Sequence, residues 1–157
     1  METTTSRRAA LLAAVAAPLL LADGTAAKRA SGSGSAVARF ARRFEGKRYV
    51  AAGNTPKHGF DCSGLTMFVV KRKLGMDITQ SVAQQWRFGK RVKYGRWEPG
   101  DLIFFRNTYR KGLSHVGICL GGNRFIHAQN EDTGVIITDI SKSDYYQKHY
   151  AGAKRLV

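Results

Sequence analysis

A cysteine at the start of an apolar segment is the first residue of this sequence that could do chemistry. Cys62 lies between Asp61 and the pair Ser63-Gly64, and the segment that follows is of helical length and runs to Leu74. Residues 54–59 before it have the composition of a loop, so Cys62 falls where a loop turns into a helix. The unpartnered N–H groups and the helix dipole at such a position favour the thiolate, which is the nucleophilic form of cysteine. A buried, inert cysteine is the competing interpretation.

Four histidines are candidates for the base that would activate this cysteine. His58 lies in the preceding loop and His149 lies among tyrosines near the C-terminus, and both positions are typical of surface or packing residues. His115 and His127 lie on two predicted strands that a glycine-rich turn connects. Either of these alone is more often structural than catalytic, but two on one hairpin favour a catalytic role.

The length of that turn decides whether the two histidines can meet. A two-residue turn at Gly121-Gly122 would pair Val116 with His127 and put the histidines on opposite faces of the sheet. A three-residue loop that includes the next asparagine would instead pair Gly117 with His127. His115 and His127 would then be diagonal neighbours on one face. A catalytic role for both therefore requires the odd-length loop or an equivalent bulge.

Histidines on one face allow the mechanism of a cysteine hydrolase. Cys62 would attack a carbonyl carbon, and His115 would take the thiol proton and later protonate the leaving amine. His127 would bond the far ring nitrogen of His115 and fix its tautomer. The Cys62 N–H and Tyr49 are candidates for holding the oxyanion. The expected reaction is acyl transfer to water.

The second cysteine is not expected to bond the first. Cys119 lies four residues along a strand from His115, which corresponds to roughly 13 Å at the usual rise per residue. A disulfide needs Cβ atoms about 4 Å apart, so Cys62 cannot both serve His115 and bond Cys119. We expect Cys119 to be a buried free thiol.

Helices in the first half of the chain and strands in the second predict an α+β domain with an antiparallel sheet of about five strands. The nucleophile would stand at the start of a helix that packs on this sheet and ends at Gly75. A helix is predicted from Ala36 to Phe44, and Thr79 or Ser81 would cap a short one. Residues 90–99 are predicted to form a loop. The predicted strands are Leu102–Phe105, Ser114–Leu120, Arg124–Ala128, Val135–Thr138 and Ala153–Val157.

The N-terminal 27 residues have the pattern of an export signal. Arg7-Arg8 precedes the apolar run Ala9–Leu21, which is short for a membrane span, and small residues follow it. The pattern fits general secretion or twin-arginine export, with a buried N-terminal helix as the alternative. No cysteine follows the apolar run in the way a lipid anchor requires, so no stable membrane anchor is expected. The predicted organisation is a signal peptide over residues 1–27, a flexible linker over 28–35 and a catalytic domain over 36–157.

The chain is strongly basic. Lys and Arg number 26 against 11 Asp and Glu, which gives a formal net charge of +15. The N-terminal 27 residues hold two residues of each sign, so the predicted domain keeps the whole excess. Such a charge indicates a polyanionic partner, either nucleic acid or an anionic polymer or membrane surface of the cell envelope. The export signal argues against intracellular nucleic acid.

Several ordered motifs resemble the NlpC/P60 family of papain-like cysteine peptidases, which act on bacterial cell-wall peptides. The nucleophile motif is Gly59–Leu65, and the histidines lie in Ser114–Ile118 and Arg124–Ala128. The other matching pieces are Tyr49–Gly53 with Pro56, Ser81 with Gln84, Pro99–Phe105 and Ala153–Val157. Together the motifs cover roughly residues 36–157.

The resemblance implies a papain-like fold and a catalytic triad of Cys62, His115 and His127. It implies hydrolysis of peptidoglycan stem peptides, typically between D-γ-glutamyl and a diamino acid such as diaminopimelate. No cofactor and no metal are expected, and the protein is expected to be a monomer.

The same resemblance gives candidates for substrate binding. Tyr49 and Asp61 match positions that line the substrate groove of the family, and Asp61 has an alternative role as an acid at a helix N-terminus. Ser63 and Ser114 are the remaining candidates for substrate contacts. Family members often carry separate wall-binding domains, for which this chain has no room, so we expect its basic surface to hold anionic wall polymers. A charge excess that only keeps the protein in solution is the alternative.

Two other classes of function remain open. The same fold could act on another amide, as an amidase, a poly-γ-glutamate hydrolase or a toxin delivered against rival cells. A non-catalytic module could bind the cell wall through basic charge and exposed aromatic residues, for which Trp86, Trp97 and Tyr109 are candidates. The intact set of one cysteine and two histidines argues against the non-catalytic alternative.

Overall fold

The computed structural model describes residues 23–157, with side chains from residue 32 onwards. The helices are α1 Asp23–Arg42, α2 Cys62–Leu74, α3 Val82–Gln85 and α4 Asp144–His149, with a 3-10 turn at Ile140–Lys142. A small hairpin is formed by β1 Asn54–Thr55 and β2 Gly59–Phe60. The strands of the main sheet are β3 Lys90–Val92, β4 Leu102–Arg106, β5 Leu113–Gly121, β6 Arg124–Asn130, β7 Gly134–Asp139 and β8 Tyr150–Arg155.

The six strands of the main sheet lie in the order β3-β8-β4-β5-β6-β7, and every neighbouring pair is antiparallel. The predicted α+β architecture is therefore confirmed, with one strand more than expected. The extra strand, β3, lies in the segment predicted as a loop. Two of its three residues are exposed, so it has no apolar pattern of its own, and its pairing with β8 makes it a strand.

The sheet is buried on both faces around β4. Leu102 and Phe104 point into a core shared with α1 and α2, while Ile103 and Phe105 point into a second core. The second core includes Tyr146 of α4, a helix absent from the sequence prediction. Successive side chains of Leu102–Phe105 alternate between the two faces of the sheet. Because both faces are buried there, all four residues are apolar.

Helix α1 begins earlier than predicted, and residues 28–35, expected to form a flexible linker, lie inside it. Gly34 explains why a glycine- and serine-rich segment can be helical here. It is buried against the Pro99-Gly100 turn, and a Cβ atom at this position would overlap the carbonyl oxygen of Pro99. Tertiary packing thus outweighs the low helix propensity of glycine. The signal peptide predicted over residues 1–27 falls mostly outside the described residues and stays a prediction. Within residues 23–157, no helix is long and apolar enough to cross a membrane.

Candidate active site

Cys62 is the first residue of α2, as the sequence predicted. Asp61 caps the helix, and its carboxylate accepts the backbone N–H of Gly64 at 2.6 Å. The same carboxylate accepts the Ala52 N–H at 3.0 Å and a hydrogen bond from Gln80 Nε2 at 3.2 Å. These contacts tie the loop before the helix to the first helical turn and hold the cysteine backbone in place. The helix ends at Gly75, which adopts a left-handed conformation at φ 67°.

The hairpin of β5 and β6 has the register that brings its two histidines together. Ile118 pairs with Ile126, and this register continued along the strands puts Gly117 opposite His127. The pairing shifts by one residue between Cys119 and Gly121, where a β-bulge precedes a two-residue turn. The strands therefore meet through the bulge that the sequence allowed as an equivalent of the three-residue loop.

A chain of hydrogen bonds connects the two histidines to a threonine on β7. His115 Nε2 lies 2.7 Å from His127 Nδ1, and His127 Nε2 lies 2.9 Å from Thr138 Oγ1. The predicted contact between His127 and His115 is thus present. Both rings are buried, with 4% and 0% of their surfaces exposed. Because His115 uses Nε2 for His127, its Nδ1 is the ring nitrogen left for other partners.

The Cys62 thiol lies against the backbone that flanks His115. Its Sγ is 4.0 Å from the carbonyl oxygen of Ser114, and the backbone N–H of Val116 also faces the sulfur. Burial and, second, the charge of Asp61 raise the pKa of the Cys62 thiol to about 11, although nearby backbone N–H groups lower it. The helix start alone predicted a favoured thiolate. The desolvation of a thiol that is only 4% exposed outweighs that effect.

Burial lowers the pKa of His115 to about 4, so its ring is neutral at pH 7. Burial also lowers the pKa of His127, and the neighbouring His115 lowers it further. The closed site therefore holds a neutral thiol and two neutral imidazoles at rest. In such a chain of hydrogen bonds, the bond to Thr138 fixes the tautomer of His127, and His127 in turn fixes the tautomer of His115.

A groove runs past the buried histidine pair. One part has a volume of about 360 Å³, and the residues that line it are Thr108, Tyr109, His115, Gln129, Asn130, Tyr145 and Tyr146. An adjoining part of about 400 Å³ shares Tyr109, Gln129 and Asn130 and adds Tyr49, Glu131 and Asp132. We call the two parts together the histidine groove. Burial, and then the charge of Cys62, raise the pKa of Tyr49 to about 12, so its hydroxyl stays protonated and can donate a hydrogen bond.

The two serines predicted to contact substrate have partners within the protein. Ser63 Oγ donates to Asp61 Oδ1 at 3.2 Å, and Ser114 Oγ accepts the Thr108 N–H at 3.0 Å. Both serines are buried, and neither lines the histidine groove. Asp61 is occupied as the helix cap. Direct substrate contacts of these three residues stay predictions, and the structure gives each a positioning role.

Two residues at the site were not found from the sequence. Tyr146 packs against both buried histidines, with ring centroids 6.0 Å from His115 and 5.1 Å from His127. Its helix α4 is short, and the Ser143 cap before Asp144 was the signal that could have predicted it. Thr138 lies on a predicted strand, but only the pairing of β6 with β7 places it near His127.

The family is shown by comparison with known proteins. The NlpC/P60 family model matches residues 46–155, which is more than half of the chain. The chain belongs to the NlpC/P60 family. Its fold agrees with that of the crystallised NlpC/P60 domain of the peptidoglycan hydrolase SagA, at a TM-score of 0.67 and 30% identity. The match covers 77% of this chain and 97% of the SagA domain.

Curated relatives of this NlpC/P60 chain are hydrolases. A γ-DL-glutamyl hydrolase of Bacillus subtilis (strain 168) is 40% identical over 119 residues, which is 76% of this chain and 28% of that protein. The murein DD-endopeptidase MepH of Escherichia coli (strain K12) is 34% identical over 114 residues, which is 71% of this chain and 42% of that protein. The chain thus spans less than half the length of each of these relatives.

Proposed function

We propose that this NlpC/P60 chain is an exported cysteine endopeptidase that hydrolyses peptidoglycan stem peptides at the D-γ-glutamyl–diamino acid bond. The observation that carries the proposal is the hydrogen-bond chain from His115 through His127 to Thr138 beside the Cys62 thiol. A purely structural role would not require two hydrogen-bonded histidines, one of them bound to a threonine, beside a cysteine at the start of a helix. The relatives named as murein and γ-glutamyl hydrolases support the substrate class.

In the first half-reaction, the sulfur of Cys62 attacks the carbonyl carbon of the scissile amide while His115 Nδ1 takes the thiol proton. General-base removal of the proton during attack suits a thiol whose pKa is raised to about 11. The tetrahedral oxyanion is held by the Cys62 N–H, which has no partner within the helix, and by the Tyr49 hydroxyl. Collapse of this intermediate breaks the C–N bond, and the imidazolium of His115 protonates the departing amine.

In the second half-reaction, His115 removes a proton from a water molecule that attacks the thioester carbon. The C–S bond breaks, the proton returns to the sulfur, and the product carboxylic acid leaves. His127 keeps the ring of His115 in one orientation through both steps, because its own Nε2 is held by Thr138. Desolvation, which lowers the pKa of His115, makes the imidazolium short-lived and a strong acid toward the leaving amine.

The D-γ-glutamyl bond is preferred over a DD bond because the relative with 40% identity is named as a γ-DL-glutamyl hydrolase, while the DD-endopeptidase is 34% identical. The compartment follows from the predicted signal in residues 1–27 and from the location of the substrate outside the cytoplasm. The protein acts as a monomer, and the basic surface brings it to anionic wall polymers.

One digest tests the proposal. Purified protein is incubated with soluble muropeptides, and the products are identified by mass spectrometry. We expect products cut after D-γ-glutamate, and loss of cleavage in Cys62→Ala. Cys119→Ala is the matched control, because Cys119 is a free, buried thiol away from the histidines, and it should cleave normally. No cleavage by the wild type, or equal cleavage by Cys62→Ala, would contradict the peptidase function. Cleavage of a different bond would favour the DD-endopeptidase or amidase alternative.

Alkylation provides an independent check on the nucleophile. Burial raises the pKa of both thiols, Cys62 and Cys119, to about 11, so pKa alone does not separate them. The Cys62 sulfur lies against the backbone on both sides of His115, and activation by this histidine should make iodoacetamide near neutral pH label Cys62 first. Labelling of Cys119 first would show that His115 does not activate Cys62.

A further inference from the structure

A second groove lies at the edge of the sheet formed by β3. Its volume is about 710 Å³, larger than either part of the histidine groove. Its lining includes the ion pair of Arg155 with Glu98, the apolar Val92 and Leu156, and four further basic residues, Lys90, Arg91, Lys93 and Arg96. We call it the basic groove. In the strand order, two strands separate β3 from β5, so the basic groove lies roughly 14 Å across the sheet from the strand of His115.

The four basic side chains of the basic groove are not neutralised by the protein. Among residues 32–157, the ion pairs are those of Arg155 with Glu98 at 2.9 Å and with Asp101 at 2.8 Å. Arg155 is thereby paired with Glu98, the acidic residue that lines the groove. Lys90, Arg91, Lys93 and Arg96 are all exposed and close to one another, which is unfavourable unless an anion binds them.

The backbone spreads these charges along one edge of the sheet. Lys90 and Arg91 are neighbours on the edge strand β3, so their side chains leave opposite faces of that strand. Lys93 begins a turn in which the Arg96 N–H donates to the Lys93 carbonyl at 3.0 Å, with Gly95 at φ 74°. Such a turn brings its first and last Cα atoms within about 7 Å. The turn is anchored because Arg155 donates to the Arg96 carbonyl at 3.2 Å. Cations spread along an edge fit a linear anion with repeated charges better than a single small anion.

We propose that the basic groove binds a linear phosphodiester polymer of the cell envelope, with a polyol-phosphate backbone as the chemical class. The choice of an envelope polymer rests on the proposed function, whereas the groove itself does not. Lys and Arg recognise phosphate through charge-assisted hydrogen bonds, and the apolar floor of Val92 and Leu156 accommodates the carbon chain between phosphates. Because the two grooves are separate, the polymer can be held while a stem peptide occupies the histidine groove.

The test is binding of a fluorescently labelled synthetic poly(glycerol phosphate) oligomer to the full chain, measured by anisotropy at low and high salt. A variant with Lys90→Gln, Arg91→Gln, Lys93→Gln and Arg96→Gln should bind at least about tenfold more weakly and with a smaller salt dependence. The matched control removes the same charge elsewhere, through Lys57→Gln, Lys71→Gln, Lys142→Gln and Lys148→Gln, all at exposed positions. It should stay within about threefold of the wild type. Equal losses in both variants would overturn the proposal, because net charge alone would then explain binding.

Two further measurements separate the outcomes. A charge-preserving variant with Lys90→Arg, Arg91→Lys, Lys93→Arg and Arg96→Lys should bind like the wild type, and loss of binding there would contradict a charge-based site. Soluble muropeptide hydrolysis in the same proteins tests the proposed function by itself. Polymer binding without hydrolysis would overturn the proposed peptidase function but support polymer binding at the basic groove. Hydrolysis without polymer binding would support the peptidase function and overturn the proposal for the basic groove. Tighter binding of an oligonucleotide of equal charge would overturn the choice of an envelope polymer.

Discussion

The histidine groove and the basic groove differ in how their polar groups are exposed to water. At the first, His115 and His127 are almost fully buried, their rings are neutral, and three of their four ring nitrogens have a hydrogen-bond partner. At the second, four cationic side chains are exposed and have no ion pair among the described residues. The first region excludes water and fixes positions, whereas the second keeps its charges in water and available.

This difference indicates how the energy of each region depends on conditions. Neutral buried groups are insensitive to salt but sensitive to pH, because protonation in a dry site is costly. Exposed charges behave in the opposite way, since dissolved ions screen them. Substitutions, pH and salt can therefore distinguish the two regions.

The largest expected effect is on catalysis at the histidine groove. His115→Ala removes the group proposed to accept the thiol proton, and kcat/KM for muropeptides should fall by about 10³-fold or more. His58→Ala is the control, because His58 is exposed and its ring lies 3.1 Å from Thr55 Oγ1 of the same loop. It should retain activity within about twofold of the wild type. A His115→Ala enzyme with near-normal activity would remove the catalytic distinction between the two grooves.

The next effect is the pH dependence of stability. Burial lowers the folded-state pKa of His115 from 6.5 to about 4. Between these two pKa values the unfolded chain binds a proton at His115 and the folded chain does not. The free energy of unfolding therefore falls as the pH drops. The fall attributable to His115 is about 3 kcal/mol, fully present by pH 4 and absent above pH 6.5. His127 adds a change of the same sign.

Urea denaturation of the wild type and His115→Gln at pH 7.5, 5.5 and 4.5 isolates this contribution. The carboxylates are the same in both proteins, so the difference between their free energies of unfolding reports the contribution of His115. The stability gap between the wild type and His115→Gln should shrink, or change sign in favour of the variant, as the pH falls. A gap that is constant over this range would mean that His115 is not desolvated in the folded protein.

A smaller effect is expected at Thr138, which positions the histidine pair without touching substrate. Thr138→Val keeps the shape of the side chain but removes the oxygen 2.9 Å from His127 Nε2. His127 Nε2 then has no partner and the ring is held only by His115, so kcat should fall by about tenfold with KM nearly unchanged. Thr138→Ser restores the hydroxyl and should restore kcat. Equal losses in both variants would indicate that Thr138 contributes packing alone.

Much of the histidine groove could be predicted from the sequence because its determinants are local. A loop residue before an apolar segment placed Cys62 at the start of α2, and the strand period linked the face of His127 to the length of one turn. The pKa of Cys62 was predicted in the wrong direction, because desolvation depends on residues distant in the sequence that cover the thiol. Thr138 was missed for the same reason, since its contact needs the register between β6 and β7.

The basic groove could not be predicted beyond its charge. β3 has no apolar alternation and becomes a strand only through its pairing with β8. The expectation that Trp97 is exposed on a binding surface was wrong, since its ring is 7% exposed and packs on Tyr94 and Tyr150. Net charge is visible in a composition, but the position of unpaired charges depends on which acids the fold uses elsewhere, as Arg155 uses Asp101.

The smallest expected effect is on the stability of the basic groove. Removing its four charges, through Lys90→Gln, Arg91→Gln, Lys93→Gln and Arg96→Gln, relieves mutual repulsion and breaks no ion pair among the described residues. The free energy of unfolding should rise slightly, by no more than about 1 kcal/mol, and the gain should disappear in about 0.5 M salt. The variant should show the same pH dependence as the wild type between pH 7.5 and 4.5, in contrast to His115→Gln. A loss of several kcal/mol would mean that these side chains hold the fold together, and the contrast between a fixed groove and a solvated one would fail.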